Sequence, residues 1–356
     1  MTMRHASSSS AKGKDVRAGE RSQICASGTT ATEIHGVYAV ALSDASSSSC
    51  PSAVFLVISA RKALRWGSWM GKGLRVALLV LVAAAAGVLM WRHGPIPQPE
   101  AYHHFSDGRT LWRIPNALDV LSNVFFFFVG WAGLAFLRRG PTRDPDGPFR
   151  PGAHTAFESL RERPAYVLFF AGVLLAAFGS AWYHLKPSTP RLFWDRLPMA
   201  MAFMALFAAM IAERISIYWS RMLLLPLVFA GIASVVMWRI SEDQGRGDLR
   251  FYLFVQLFPM VALPLMMLLF KPRYSRGFEI FVVVVVYGGA KLLEHFDQQV
   301  WDATSHAVSG HTLKHLAAAL AGYVVLDMLK KRGRPKLGIA EAIAAQSEEG
   351  APPSVR

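Results

Sequence analysis

The sequence predicts an all-α, polytopic membrane protein, with a seven-transmembrane-helix core preceded by one extra N-terminal hydrophobic helix. Three observations carry that prediction. Of 356 residues, 53% are hydrophobic and only 17% are charged, and the mean hydropathy is +0.30, which is unusually apolar for a soluble domain. The apolar residues fall in runs of roughly 16–20, close to the length that carries a helix across about 30 Å of hydrocarbon. The runs lack the two-residue alternation of barrel strands, and in lipid every backbone polar group needs a partner, so the spans are helices.

The elements follow in chain order. Residues 1–69 carry Ser runs at 7–10 and 46–49 and little periodicity. They are read as a disordered extension, or as a spurious one if translation starts at Met70. The stretch MGKGLRVALLVLVAAAAGVLMW, 70–91, joins a basic start to an apolar run, as a signal anchor does. No small-x-small site follows it, so it is read as a retained helix. Residues 92–117 include AYHHFSDGRTLWRIPN, whose Pro, Gly, Asn and Asp residues suggest an ordered loop. Seven apolar runs then build a core over 118–329: 118–136, 165–184, 197–213, 222–238, 251–270, 278–293 and 311–329. Residues 330–356 open with the basic KKRGRPK and close as a polar, disordered tail.

Loop charge orients these spans. Sixteen Lys and Arg residues gather on the side of the C-terminal tail, against nine on the other, and the 298–310 loop has none. The positive-inside rule therefore makes the C-terminus cytoplasmic and turns the 92–117, 185–196 and 298–310 loops outward. The net charge of +14 is spread over loops and tail rather than one basic face, so no nucleic-acid partner is expected. No obligatory protein partner is inferred. The two cysteines, Cys25 and Cys50, both precede the core, which therefore has no disulfide framework and no thiolate metal site.

Five polar residues converge at the outward ends of three spans. In FGSAWYHLKPSTPRLFWDRLPM, Ser180 and His184 share a helix face four residues apart, Pro187 and Pro190 stop the helix, and Asp195 stands before the next apolar run. In SGHTLKH, His311 and His315 lie one turn apart at the start of the last span. Three imidazoles are the ligand count of a catalytic zinc that keeps one position for water. Asp195 would exchange a proton with that water, and Ser180 would stabilise an oxyanion or orient a ligand. Other roles exist for each part. Paired histidines can face headgroups, Asp195 can be the N-cap of the next helix, and Ser180 can bond within its own helix. Lys291 and Glu294, at the end of the 278–293 run, read either as a self-neutralising pair or as support for the neighbouring histidines. The FFFF run at 125–128 and MAMAFMALFAAM at 199–210 read as packing or lipid-facing residues, a few of which could line an acyl-chain pocket.

The pattern Ser180-x3-His184, Asp195 eleven residues on, and His311-x3-His315 resembles the alkaline ceramidase family, in a superfamily shared with the adiponectin- and progestin-type receptors. IPNALDVLSN at 114–123 is similar to that family's lead into its first core helix. The resemblance covers about 107–329, and Lys314 within SGHTLKH makes it look most like the bacterial members. It implies a membrane-embedded, zinc-dependent hydrolase of a lipid amide such as ceramide. The alternative it implies is a non-catalytic, receptor-like member in which zinc is structural. The family's calcium-binding segment is reduced here to Asp107 and Asn116, few donors for an ion that takes six to eight oxygens, so calcium is doubtful. A membrane lipid is the expected substrate, and a bacterial inner (plasma) membrane the expected location, with the site toward the extracytoplasmic side.

Overall fold

In a computed structural model of the chain, the described residues are 70–139 and 156–333, together with the backbone of two short strands. Those strands, β1 (Thr29–Ile34) and β2 (Val37–Leu42), pair antiparallel as a hairpin, with Ile34 opposite Val37. The rest of the expected 1–69 extension lies outside the described residues, as does the tail beyond 333.

The remainder is helical. The order is α1 (Lys72–His93), α2 (Ala117–Leu121), α3 (Val124–Arg138), α4 (Arg163–Leu185) and α5 (Thr189–Arg214), then α6 (Ile217–Asp243), α7 (Arg250–Leu269), α8 (Glu279–His295), α9 (Asp297–Ala303) and α10 (Gly310–Lys331). Seven helices among the described residues are long and apolar enough to cross a membrane, α2 and α3 counting as one. The chain is an all-α, polytopic integral membrane protein. The sixth core span of the sequence reading, 278–293, is α8, whose 17 residues sit at the short end of the spanning range.

Burial separates the centre from the rim. In α5, 72% of the apolar window is buried, against 6% in α1. Small residues explain the first figure. Ala200, Ala202, Ala205, Ala208, Ala209 and Ala212 let α5 sit among its neighbours, and most of the 199–210 run is core. Helix α1 lies on the flank of α7, tied at one end by Arg75 Nη1 donating to the Leu269 carbonyl at 3.2 Å and at the other by Arg250 Nη1 donating to the Trp91 carbonyl at 2.9 Å. Exposed Leu225, Phe229, Val261 and Val285 give the bundle the apolar outer surface that lipid requires.

At the end of the bundle where α10 finishes, Arg332 is fully buried although its sequence context reads as a solvated tail. It pairs with Glu213, donates from Nε to the Ala156 carbonyl at 2.6 Å, and packs over the rings of Phe157, Tyr166 and Tyr274. The loop at 92–117 is ordered, as its turn residues predict, and lies across the other end of the bundle. The Ser106 amide donates to Asp297 Oδ2 at 3.0 Å, and Arg109 reaches the Ala307 carbonyl at 2.9 Å.

Candidate metal centre

The metal-ligand candidates come together. The nitrogens of His184, His311 and His315 all lie within 4.8 Å of one another, and all three residues are buried. His184 Nε2 and His311 Nε2 are 3.3 Å apart. Two nitrogens bound at about 2.0–2.1 Å to one tetrahedral ion would stand about 3.3–3.4 Å from each other, so this separation fits a shared metal. The cluster can hold a metal ion.

Each residue of SGHTLKH except Leu313 contributes to the arrangement. Ser309 is the N-cap of α10, its Oγ accepting from the Thr312 amide at 3.0 Å. At Gly310 a Cβ would come within 2.2 Å of the Leu293 carbonyl oxygen, so only glycine lets α10 meet α8 there. Thr312 Oγ1 donates to Asp119 Oδ1 at 2.6 Å, pinning α10 to α2. Lys314 Nζ donates to Glu294 Oε1 at 2.8 Å and stands 2.9 Å from His311 Nε2. The His311 backbone amide, unsatisfied within its own helix, donates to Asp297 Oδ1 at 2.7 Å.

The orientation of the His315 ring has an identifiable cause, whereas His184 Nδ1 is buried without a hydrogen-bond partner. Ser122 Oγ donates to the Asp119 carbonyl at 3.0 Å and stands 2.8 Å from His315 Nδ1. With its proton committed, the hydroxyl accepts from Nδ1–H, which fixes the tautomer and leaves Nε2 of His315 free to ligate. The side chains of Ser122 and Asn123 both bond the Asp119 carbonyl, and this local competition breaks α2 from α3. Asn116, in the left-handed conformation with φ 47°, donates from Nδ2 to the His184 carbonyl at 2.8 Å and anchors the end of α4. Phe105 covers two imidazoles, its ring centroid 4.6 Å from that of His184 and 4.5 Å from that of His311.

Ser180 and Asp195 also meet. Helix α5 begins at Thr189, with Ser188 at its N-cap, so Asp195 lies in the second turn and the N-cap role considered for it is excluded. The Ser180 hydroxyl is near enough to the Asp195 carboxylate to bond to it, so the two residues named from the sequence are brought together. The approach depends on Gly179, where a Cβ would stand 2.0 Å from the Trp194 carbonyl oxygen.

The Lys291–Glu294 ion pair forms and does not stop there. Glu294 accepts from Lys291, from Lys314 and, at 3.0 Å, from the Tyr102 hydroxyl, so the pair is joined to His311 through Lys314. The two residues read as a calcium remnant are engaged elsewhere. Asp107 takes a two-pronged contact from Arg109, Nε to Oδ1 and Nη2 to Oδ2, both at 2.7 Å, while Asn116 holds α4 as described.

Next to the triad opens a cavity of about 260 Å³. Ser180, Asp195, Arg196, Lys291, Glu294, Lys314 and His315 line its polar end, and Phe169, Leu206 and Val283 its far end. From Ser180 to Phe169, Asp195 to Leu206 and Glu294 to Val283 is eleven residues each, about 16 Å at 1.5 Å per residue. That is roughly half of a 30 Å hydrocarbon core, the depth of one leaflet. The FFFF run divides here: Phe126 lines the cavity, while Phe125 and Phe128 are exposed on the outside.

Sequence reasoning missed Phe105, Ser122 and Tyr102, which act from a loop and a helix far along the chain. Arg196, counted among the outer-loop cations, is buried inside α5. It stands one residue before the apolar run at 197–213, which hid it among the loop cations until the start of α5 at Thr189 was known. No family model matches this chain, and no curated protein matches it.

Proposed function

We propose that this chain is a membrane-embedded, zinc-dependent hydrolase that cleaves a lipid amide, an acyl chain joined to an amine head. The observation that carries the reading is a three-histidine cluster of metal-binding geometry beside a cavity that is polar at the triad and largely apolar over the depth of one leaflet, with Gln256 and Tyr287 bonded to each other in its wall. Three imidazoles also suit copper, iron and nickel; zinc is chosen because three protein ligands and an open fourth position serve hydrolysis. When bound, the ion supplies a water acidic enough to be hydroxide near neutral pH and polarises the substrate carbonyl.

The chain's own residues supply the rest. The apolar wall from Phe169 to Leu206 takes the acyl chain, which sets the carbonyl at the polar end. Asp195, oriented by Ser180, accepts the proton of the attacking water and returns it to the departing nitrogen. The carbon–nitrogen bond breaks, leaving a carboxylate and an amine. Lys314, a cation beside His311, stabilises the charge that develops on the carbonyl oxygen. Phe105 and the 92–117 loop limit water entry above the imidazoles. The positive-inside balance turns this end of the bundle away from the cytoplasm, in a plasma membrane of bacterial type, with the C-terminus inside.

The test compares purified wild type with His311→Ala and Asp195→Asn, measuring bound metal and hydrolysis across amide and ester lipids. The reading expects His311→Ala to lose metal and activity, and Asp195→Asn to keep metal and lose activity. Metal in the wild type without hydrolysis of any lipid would return the chain to a structural zinc role.

A further inference from the structure

Arg196 is 6% exposed and stands one residue after Asp195 on α5. Successive side chains on a helix diverge by about 100°. Asp195 therefore meets Ser180 of α4, while Arg196 turns toward α6, α7 and the loop at 98–102. There its guanidinium carbon lies 4.3 Å from the Trp238 ring centroid, 4.8 Å from that of Tyr252 and 5.4 Å from that of Tyr102. Nη2 donates to Gln98 Oε1 at 2.6 Å. Nη1 is buried with no hydrogen-bond partner in the protein, and among the described residues no carboxylate forms an ion pair with this guanidinium. The neighbouring carboxylate that could have served, Glu242, accepts from the Trp238 indole at 2.9 Å and from the Gln98 amide at 3.1 Å.

A buried cation held by aromatic faces and one neutral amide, with a donor left over, is a poor structural element and a good recognition element. It lines the polar end of the cavity. The balance of charge there points the same way. Lys291, Lys314 and Arg196 stand against two carboxylates, Glu294 and Asp195, so the polar end keeps one cation in excess before any metal is counted, and the cation without an ion pair is Arg196.

We propose that Arg196 is the specificity residue for an anionic group on the amine side of the substrate, so that the cavity takes an acyl amide whose head carries a carboxylate or a phosphate rather than a neutral alcohol. This rests on the hydrolase reading for the word substrate, but the anion site itself does not. The acyl chain fills the apolar depth, the amide lies beside the histidines, and the charged head reaches across to the Arg196 fork, whose free nitrogen donates to it.

Three ligands with one acyl chain separate the possibilities: N-palmitoylglycine, N-palmitoylphosphoethanolamine and the neutral N-palmitoylethanolamine. Affinity is measured on the full chain carrying Asp195→Asn, so that ligands persist, and turnover on the wild type. One or both anionic ligands should bind about tenfold to a hundredfold tighter than the neutral one, the worth of a charge-assisted hydrogen bond. Which one does so distinguishes carboxylate from phosphate. Arg196→Gln in the same background should remove that preference while leaving the neutral ligand's affinity within about threefold, well short of the effect of a lost charge-assisted bond. Equal binding of all three ligands before Arg196 is changed overturns the proposal, and that arm decides even if Arg196→Gln does not fold. Anion preference without hydrolysis of any ligand would refute the hydrolase reading and leave the anion site standing.

Discussion

Replacing Ser122 by alanine should weaken metal binding although Ser122 is not a ligand. Its hydroxyl stands 2.8 Å from His315 Nδ1, is buried with the imidazole, and holds its own proton on the Asp119 carbonyl. Alanine removes this acceptor and leaves the Nδ1–H of a buried ring only the already shared Asp119 carbonyl, at a cost of about 1–3 kcal/mol. The ring then gains by taking the other tautomer or by turning, and either change withdraws Nε2 from the cluster. Spent on metal affinity, that energy is a factor of about 5–150, in line with the tenfold to hundredfold effect of removing groups that orient a ligating histidine. The assay is a competition titration against a chromophoric chelator on the purified protein in detergent, with the melting profile of the metal-free chain as a control for folding. Ser122→Thr, which keeps the hydroxyl, should restore most of the loss. An affinity for metal unchanged in Ser122→Ala would refute the tautomer argument and remove His315 Nε2 as an assured ligand.

Three further outcomes are expected. Arg332→Met should destabilise the bundle by about 3–5 kcal/mol in a denaturation titration, because it leaves the buried Glu213 carboxylate unpaired, and a loss under about 1 kcal/mol would show that the pair is dispensable. Gly179→Leu should cut hydrolysis at least tenfold while metal stays bound, because any Cβ meets the Trp194 carbonyl and parts Ser180 from Asp195; full turnover would contradict it. His103, between the Tyr183 hydroxyl at 2.9 Å and Thr189 Oγ1 at 3.0 Å, is held below the ordinary imidazole value of 6.5 by burial. The unfolded loop therefore takes up the proton first, and docking of the 92–117 loop should weaken as pH falls through about 6.5. Hydrogen exchange in that loop at pH 7.5 and 5.5 would detect this, and His103→Gln should flatten the difference.

Much of this arrangement was legible in the sequence because a membrane restricts what a sequence can mean. Apolar runs of helical length leave little choice of structure, and polar residues at the ends of such runs stand out. His184, His311 and His315 could be grouped because chain direction alone places the ends of their helices at one depth. Ser180 and Asp195 were legible as a pair for the same reason. Their relation was not, since the start of α5 at Thr189 turns Asp195 from a cap into a side chain facing α4. Contacts set by packing were beyond reach. Nothing in FSDGR marks Phe105 as the cover of two imidazoles, and nothing in VLSN says that Ser122 bonds a ring 193 residues away. Arg332 misled for the opposite reason, since it sits in a basic run whose other members read as solvated. What buries it is Glu213, whose position in the fold the local sequence does not announce.

X-ray absorption at the metal edge of the full-length protein, purified without added metal, bears most directly on whether three imidazoles hold one ion. The account predicts one divalent ion per chain with three nitrogen neighbours at about 2.0–2.1 Å, lost when His184, His311 and His315 are all replaced by alanine. A wild-type chain that carries no ion, or an ion whose spectrum is unchanged in that triple variant, would contradict it.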